Sequence, residues 1–83
     1  MYDITEILNM EFMKKVILKD GYIMIYDERK DAWWYDIEAS RIKTVDDVTH
    51  WIYHLSEKAW ISTWQIHEFM DVCKKLVPEL RKY

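Results

Sequence analysis

KKVILKDGYIMIYD, residues 14–27, sets an Asp-Gly pair between two apolar, β-rich runs. Asp20-Gly21 is a pair favoured by the two-residue type I′ hairpin turn, in which both central residues need positive φ. The spacing predicts strands over 14–19 and 22–27, with Lys19 facing Tyr22, Leu18 facing Ile23, Ile17 facing Met24 and Val16 facing Ile25. Side chains alternate along a strand. One face therefore carries Val16, Leu18, Ile23 and Ile25, and the other Ile17, Lys19, Tyr22, Met24 and Tyr26.

The polar run DERKD, 27–31, follows as a loop, and AWWYDIE, 32–38, returns as a third strand. Strict alternation sends Trp33, Tyr35 and Ile37 to one side and Trp34, Asp36 and Glu38 to the other. The side with fewer charges is expected to join the core beside Ile23 and Ile25. Trp34 is then left on the second face with Tyr22, Met24 and Tyr26.

Thr44 opens the next element, since T-V-D-D has capping-box spacing with two acids in the first turn, where the helix dipole favours them. The helix is expected to run to about Lys58. Val48, Trp51, Ile52, Leu55 and Ala59 form its apolar stripe at i, i+3, i+4, i+7 and i+11. S-T-W-Q, 62–65, is a second capping box, opening a helix that gathers Ile66, Phe69, Met70, Cys73, Val77 and Leu80 on one face. Pro78 stops or kinks it, and PELRKY reads as a separate short turn. At the start, Asp3 with Glu6 offers a cap, and Ile4, Ile7 and Leu8 suit either a short helix or an extended arm. As a helix, this segment would cover the second sheet face. The expected fold is one α+β domain over residues 1–83: a small three-stranded antiparallel meander packed against an antiparallel helix pair, with a short N-terminal helix or arm.

Composition narrows the function. A chain of 83 residues with 51% hydrophobic content and five Trp is too apolar for disorder, and so much aromatic surface in so short a chain suggests that some of it serves a partner. Net charge is −3 with the signs interspersed, which offers no basic patch for phosphate backbones. Lone Cys73 is expected to be a core residue and an intracellular setting fits it. No segment has the length and apolarity of a membrane span or the pattern of a signal peptide, so a soluble cytoplasmic protein is expected.

Chemistry-bearing patterns are weak. His50 and His54 stand four apart on one helix with Asp47 and Glu57 continuing the stripe, a spacing that could reach a metal but also describes a solvated face. H-E-F-M-D, 67–71, departs from a zinc-protease motif at Asp71, where the second His should stand. Ser40, Ser56 and Ser62 lack a glycine elbow, and the single Gly21 leaves no phosphate loop. Asp36 and Glu38 share a strand face, the usual placement of solvated carboxylates. No catalytic residue, metal or cofactor is expected.

Tyr22, Met24, Tyr26 and Trp34, rimmed by Arg29 and Lys30, instead compose a candidate partner-binding patch of the residue types enriched at hot spots. His50, Tyr53, His54 and Trp60 form a second candidate patch. Trp60 and Trp64 flank the turn between the helices, where they could cap the core. Glu38, Arg41, His54, Glu57 and Lys58 could form a polar cluster tying the third strand to the helix. Tyr22, Tyr26 and Trp34 with Lys14, Lys15, Lys19, Arg29 and Lys30 would be the arrangement for single-stranded nucleic acid, an alternative that Asp36 and Glu38 disfavour. Self-pairing of the second sheet face would make a homodimer.

Residues 35–63, YDIEASRIKTVDDVTHWIYHLSEKAWIST, resemble small proteins encoded by bacteriophages and prophages. The likeness is carried by Y-D-I-E, Arg41, Thr44, the W-I-x-H-L-S-E-K run and Trp60 before the second cap. It implies a host bacterial cytoplasm and an accessory protein that binds and blocks or redirects a host protein, inhibition of a defence complex such as CRISPR machinery included. It carries over no catalytic or binding residue.

Overall fold

A computed structural model describes residues 14–82 of the chain; the expected helix or arm at the N-terminus lies outside these. Three strands, β1 (Val16–Lys19), β2 (Tyr22–Asp27) and β3 (Ala32–Glu38), form an antiparallel sheet in the order β1-β2-β3. A 3-10 turn (Ala39–Arg41) leads to helix α1 (Val45–Ser56), followed by α2 (Thr63–Leu76) and a second 3-10 segment (Pro78–Lys82). The fold is α+β, as the sequence pattern predicts.

The hairpin follows from its turn. Asp20 and Gly21 adopt φ of 53° and 80°, the positive values of a type I′ turn. Val16 pairs with Ile25, Ile17 with Met24, Leu18 with Ile23 and Lys19 with Tyr22, which is the expected register residue by residue. Between β2 and β3, Asp27 closes the loop: its buried Oδ1 accepts from the Arg29 N–H at 2.9 Å and the Lys30 N–H at 3.3 Å.

Both capping boxes form. Thr44 Oγ1 accepts from the Asp47 N–H at 3.1 Å while Asp47 Oδ2 accepts from the Thr44 N–H, also at 3.1 Å. The Ser62 and Gln65 pair repeats the exchange at 3.1 and 2.9 Å. α1 ends at Ser56, so Ala59 lies beyond it and is exposed rather than part of its stripe.

The core joins one sheet face to the helices. Val16, Ile23, Ile25 and Ile37 from the sheet meet Val48 and Leu55 from α1, Phe69, Val72 and Cys73 from α2, and Ile42, Val77 and Leu80 from the connecting segments. Burial pushes the Cys73 thiol up to about 12, so it is a protonated core residue. Tyr35, Trp51, Ile52, Ile66 and Met70 pack against this core partly buried, but two sheet residues expected in it do not reach it. Leu18 is exposed beside the turn, and Trp33 is exposed for a reason that lies in the register of β3.

α2 is tied to the sheet by polar side chains as well as by packing. Tyr26 N–H donates to Lys15 C=O at 2.9 Å, which makes these residues the last rung of the hairpin. The groups that would complete the rung are taken by α2: Gln65 Nε2 donates to Tyr26 C=O at 2.7 Å, and Glu68 Oε2 accepts from Lys15 N–H at 2.8 Å and Val16 N–H at 3.3 Å. Gln65 and Glu68 are both buried. Each satisfies backbone groups that would otherwise be costly to bury.

Candidate functional site: the second face of the sheet

β3 contributes seven residues and β2 six. The surplus appears as a bulge: Ile25 pairs with Tyr35 and Tyr26 with Trp33, leaving Trp34 without a partner on β2. Below the bulge, Ile37 pairs with Ile23 and alternation holds. Above it, Trp33 stands opposite Tyr26, a second-face residue. Strict alternation therefore assigns Trp33 wrongly to the core. Neither adjacent tryptophan is buried, because the bulge moves Trp33 onto the surface and leaves Trp34 projecting from the distorted strand.

Three rungs build the second face: Lys19, Tyr22 and Glu38; Ile17, Met24 and Asp36; Lys15, Tyr26 and Trp33. Tyr22, Trp33 and Trp34 are 42%, 41% and 62% exposed, whereas Ile23 and Ile25, their neighbours on β2, are fully buried. Ile17, Met24 and Tyr26 lie between these extremes.

Tyr26 is held from three directions. Trp33 meets it edge to face with centroids 5.4 Å apart and rings at 75°, Lys15 Nζ lies 4.3 Å from its centroid, and its hydroxyl donates to Asp31 Oδ1. Asp31 has φ of 51°, a left-handed conformation that aspartate tolerates better than most residues. Lys30 Nζ sits 3.6 Å from the Trp34 ring. Such contacts give each ring a fixed pose, and aromatic anchors with few freedoms lose little entropy on binding.

Of the expected patch, Tyr22, Met24 and Tyr26 lie together on this face, Trp34 is exposed at its bulge under Lys30, and Arg29 is exposed in the turn. Trp33, Lys15 and Asp31 complete the arrangement. The second candidate patch divides. His50 and His54 stack in parallel at 6.5 Å, and each meets half-buried Trp51 edge-on, at 5.7 and 5.6 Å. Tyr53 is exposed, and Trp60 turns away to pack against Tyr35 at 6.0 Å. Burial raises the Tyr35 hydroxyl above its ordinary value, and Lys58 Nζ lies 4.8 Å from that ring. Of the expected polar cluster, Lys58 thus meets Tyr35, His54 meets Trp51, and Glu38 and Arg41 share a small cleft with Trp51. Trp64 does not cap the core: it is exposed and stacks on His67 at 6.0 Å.

No cluster suited to a metal occurs among the described residues. Glu68 of the H-E-F-M-D run spends one oxygen on the backbone of β1, and the backbone N–H groups of Lys43 and then Thr44 hold the Asp47 carboxyl below its ordinary range. No protein-family model, curated protein or solved structure matches the chain.

Proposed function

We propose that this chain is a non-enzymatic protein-interaction module that seats a partner protein on the second face of its sheet. The observation that carries this is the exposure of Tyr22, Trp33 and Trp34 on a sheet whose opposite face supplies the core. Large aromatic residues are left in water at a cost unless a partner covers them. Tyr22, Trp33 and Trp34 would be the anchors, Met24 and Tyr26 the floor, and Lys19, Arg29, Lys30, Asp36 and Glu38 the polar rim. The rim carries both signs, which suits a protein surface better than a phosphate backbone. The phage-like stretch of the sequence supplies the setting of the proposal, a host protein bound and blocked by occlusion.

The test is capture from bacterial lysate by the wild type and by Trp33→Ala, Trp34→Ala and Trp64→Ala, each confirmed as folded by circular dichroism. A protein identified by mass spectrometry, lost with Trp33→Ala or Trp34→Ala and kept with Trp64→Ala, is the expected result. Equal retention by all three variants overturns the assignment of the surface. A concentration-dependent doubling of mass in light scattering, with no captured protein, would instead show that the face serves a second copy.

A further inference from the structure

The two outer edges of the sheet are treated differently. In the hairpin, Lys15, Ile17 and Lys19 share rungs with Tyr26, Met24 and Tyr22, and their backbone groups point toward β2. Val16 and Leu18 point outward. The Val16 N–H is taken by Glu68, so the start of this edge is guarded by α2. On the other side, Ile23 and Ile25 point toward β3 and exchange with Ile37 and Tyr35, and the Ala39 N–H donating to Gly21 C=O at 2.9 Å continues the alternation. The Asp36 N–H and C=O and the Glu38 N–H therefore face away from the sheet. Nothing among the described residues takes them.

Beside this edge lies a cleft of about 180 Å³ lined by Tyr22, Asp36, Ile37, Glu38, Arg41 and Trp51. It has aromatic walls and two exposed carboxylates, and among the described residues Arg41 forms no ion pair with either. Two carboxylates against one guanidinium leave one negative charge. Aromatic faces and carboxylates together recognise an alkylammonium or guanidinium group.

We propose that the outer edge of β3 at Asp36–Glu38 accepts an extended, basic segment of the partner as a fourth strand, with one of its Lys or Arg side chains entering the Tyr22, Glu38 and Trp51 cleft. This rests on the partner-binding reading of the adjoining face and gives it a chemistry: main-chain pairing supplies the register and the acidic cleft the side-chain preference. Charge decides against a second copy at this edge. Antiparallel self-pairing would match Asp36 with Asp36, Asp36 with Glu38 or Glu38 with Glu38, and like charges directly opposite are destabilising.

The probe is a short blocked peptide alternating lysine with valine and threonine, titrated to millimolar concentration into the full-length protein while backbone amide shifts are followed by NMR. Shifts centred on Asp36 and Glu38 are expected, weakened about tenfold in the Asp36→Asn, Glu38→Gln double variant, the loss of roughly one charge-assisted contact. They should vanish with a glutamate-for-lysine peptide and with one N-methylated at alternate residues. Unshifted Asp36 and Glu38 amides, or equal binding of all three peptides, overturn the proposal. If the lysate partner is still lost with Trp33→Ala while the peptide leaves the edge unmoved, the edge fails and the face stands; if the peptide binds the edge and no partner depends on Trp33 or Trp34, the edge stands and the face reading fails.

Discussion

Ile23 and Ile25 lie on β2 between Tyr22, Met24 and Tyr26, one residue away in sequence and on the opposite side in space. The isoleucines are fully buried in one core cluster with Phe69 and Leu55, while Tyr22 is 42% exposed. Both faces of this strand are apolar enough to serve as core. The helices decide between them, because α1 and α2 each have one apolar stripe and bury it against a single face. The other face is left with rings fixed by lysines, by an aspartate and by one another. Two apolar faces on one sheet thus separate into a stabilising one and an available one.

Substitutions on the two faces should differ accordingly. The largest loss is expected from Phe69→Ala on the core side, about 3–5 kcal/mol by chemical denaturation, which would leave a domain of this size barely folded. Next comes Glu68→Ala, which strips the Lys15 and Val16 N–H groups of their acceptor and should cost about 1–3 kcal/mol. Glu68→Gln keeps an acceptor oxygen and should cost less; equal losses would mean that the carboxylate charge, not its hydrogen bonds, holds α2 to β1. Gly21→Ala should cost about 1–2 kcal/mol, since space is open around the position and only its left-handed conformation opposes a side chain.

Cys73 adds a pH-dependent reading of the core. Below the thiol's ordinary 9.0, folded and unfolded chains both hold the proton; as pH rises from there toward about 12, the unfolded chain releases it first. Stability is therefore whole below pH 9 and falls across that window. At neutral pH, alkylation of Cys73 should proceed only through unfolding and accelerate as denaturant is added. Rapid labelling of the native protein would place Cys73 outside the core.

Much of this division is legible in the residue order. Asp20-Gly21 predicts the hairpin and its register, and T-V-D-D and S-T-W-Q predict both helix starts, because each is a local pattern with a local physical cause. Trp33 misleads because a bulge changes the phase of alternation, and only a count of both strands against each other reveals the surplus residue. Leu18 misleads because sharing a face with Ile23 does not guarantee that a helix reaches it. Gln65 and Glu68 are buried against the expectation for polar residues; they reach backbone groups 39 and 53 positions away, which no nearby spacing records, whereas buried Asp27 is satisfied locally by the Arg29 and Lys30 N–H groups. The pose of Tyr26 is hidden for a related reason, since it depends on Trp33 from β3 and on Lys15 from just ahead of β1.

The most direct measurement is the unfolding free energy of the Trp33→Ala, Trp34→Ala double variant against the wild type in urea. A face held for a partner predicts a loss below about 2 kcal/mol, mainly that of the edge-to-face pair with Tyr26, and an unchanged denaturant slope. A loss of about 4 kcal/mol or more with a smaller slope would show that these tryptophans belong to the folding core and would contradict the account.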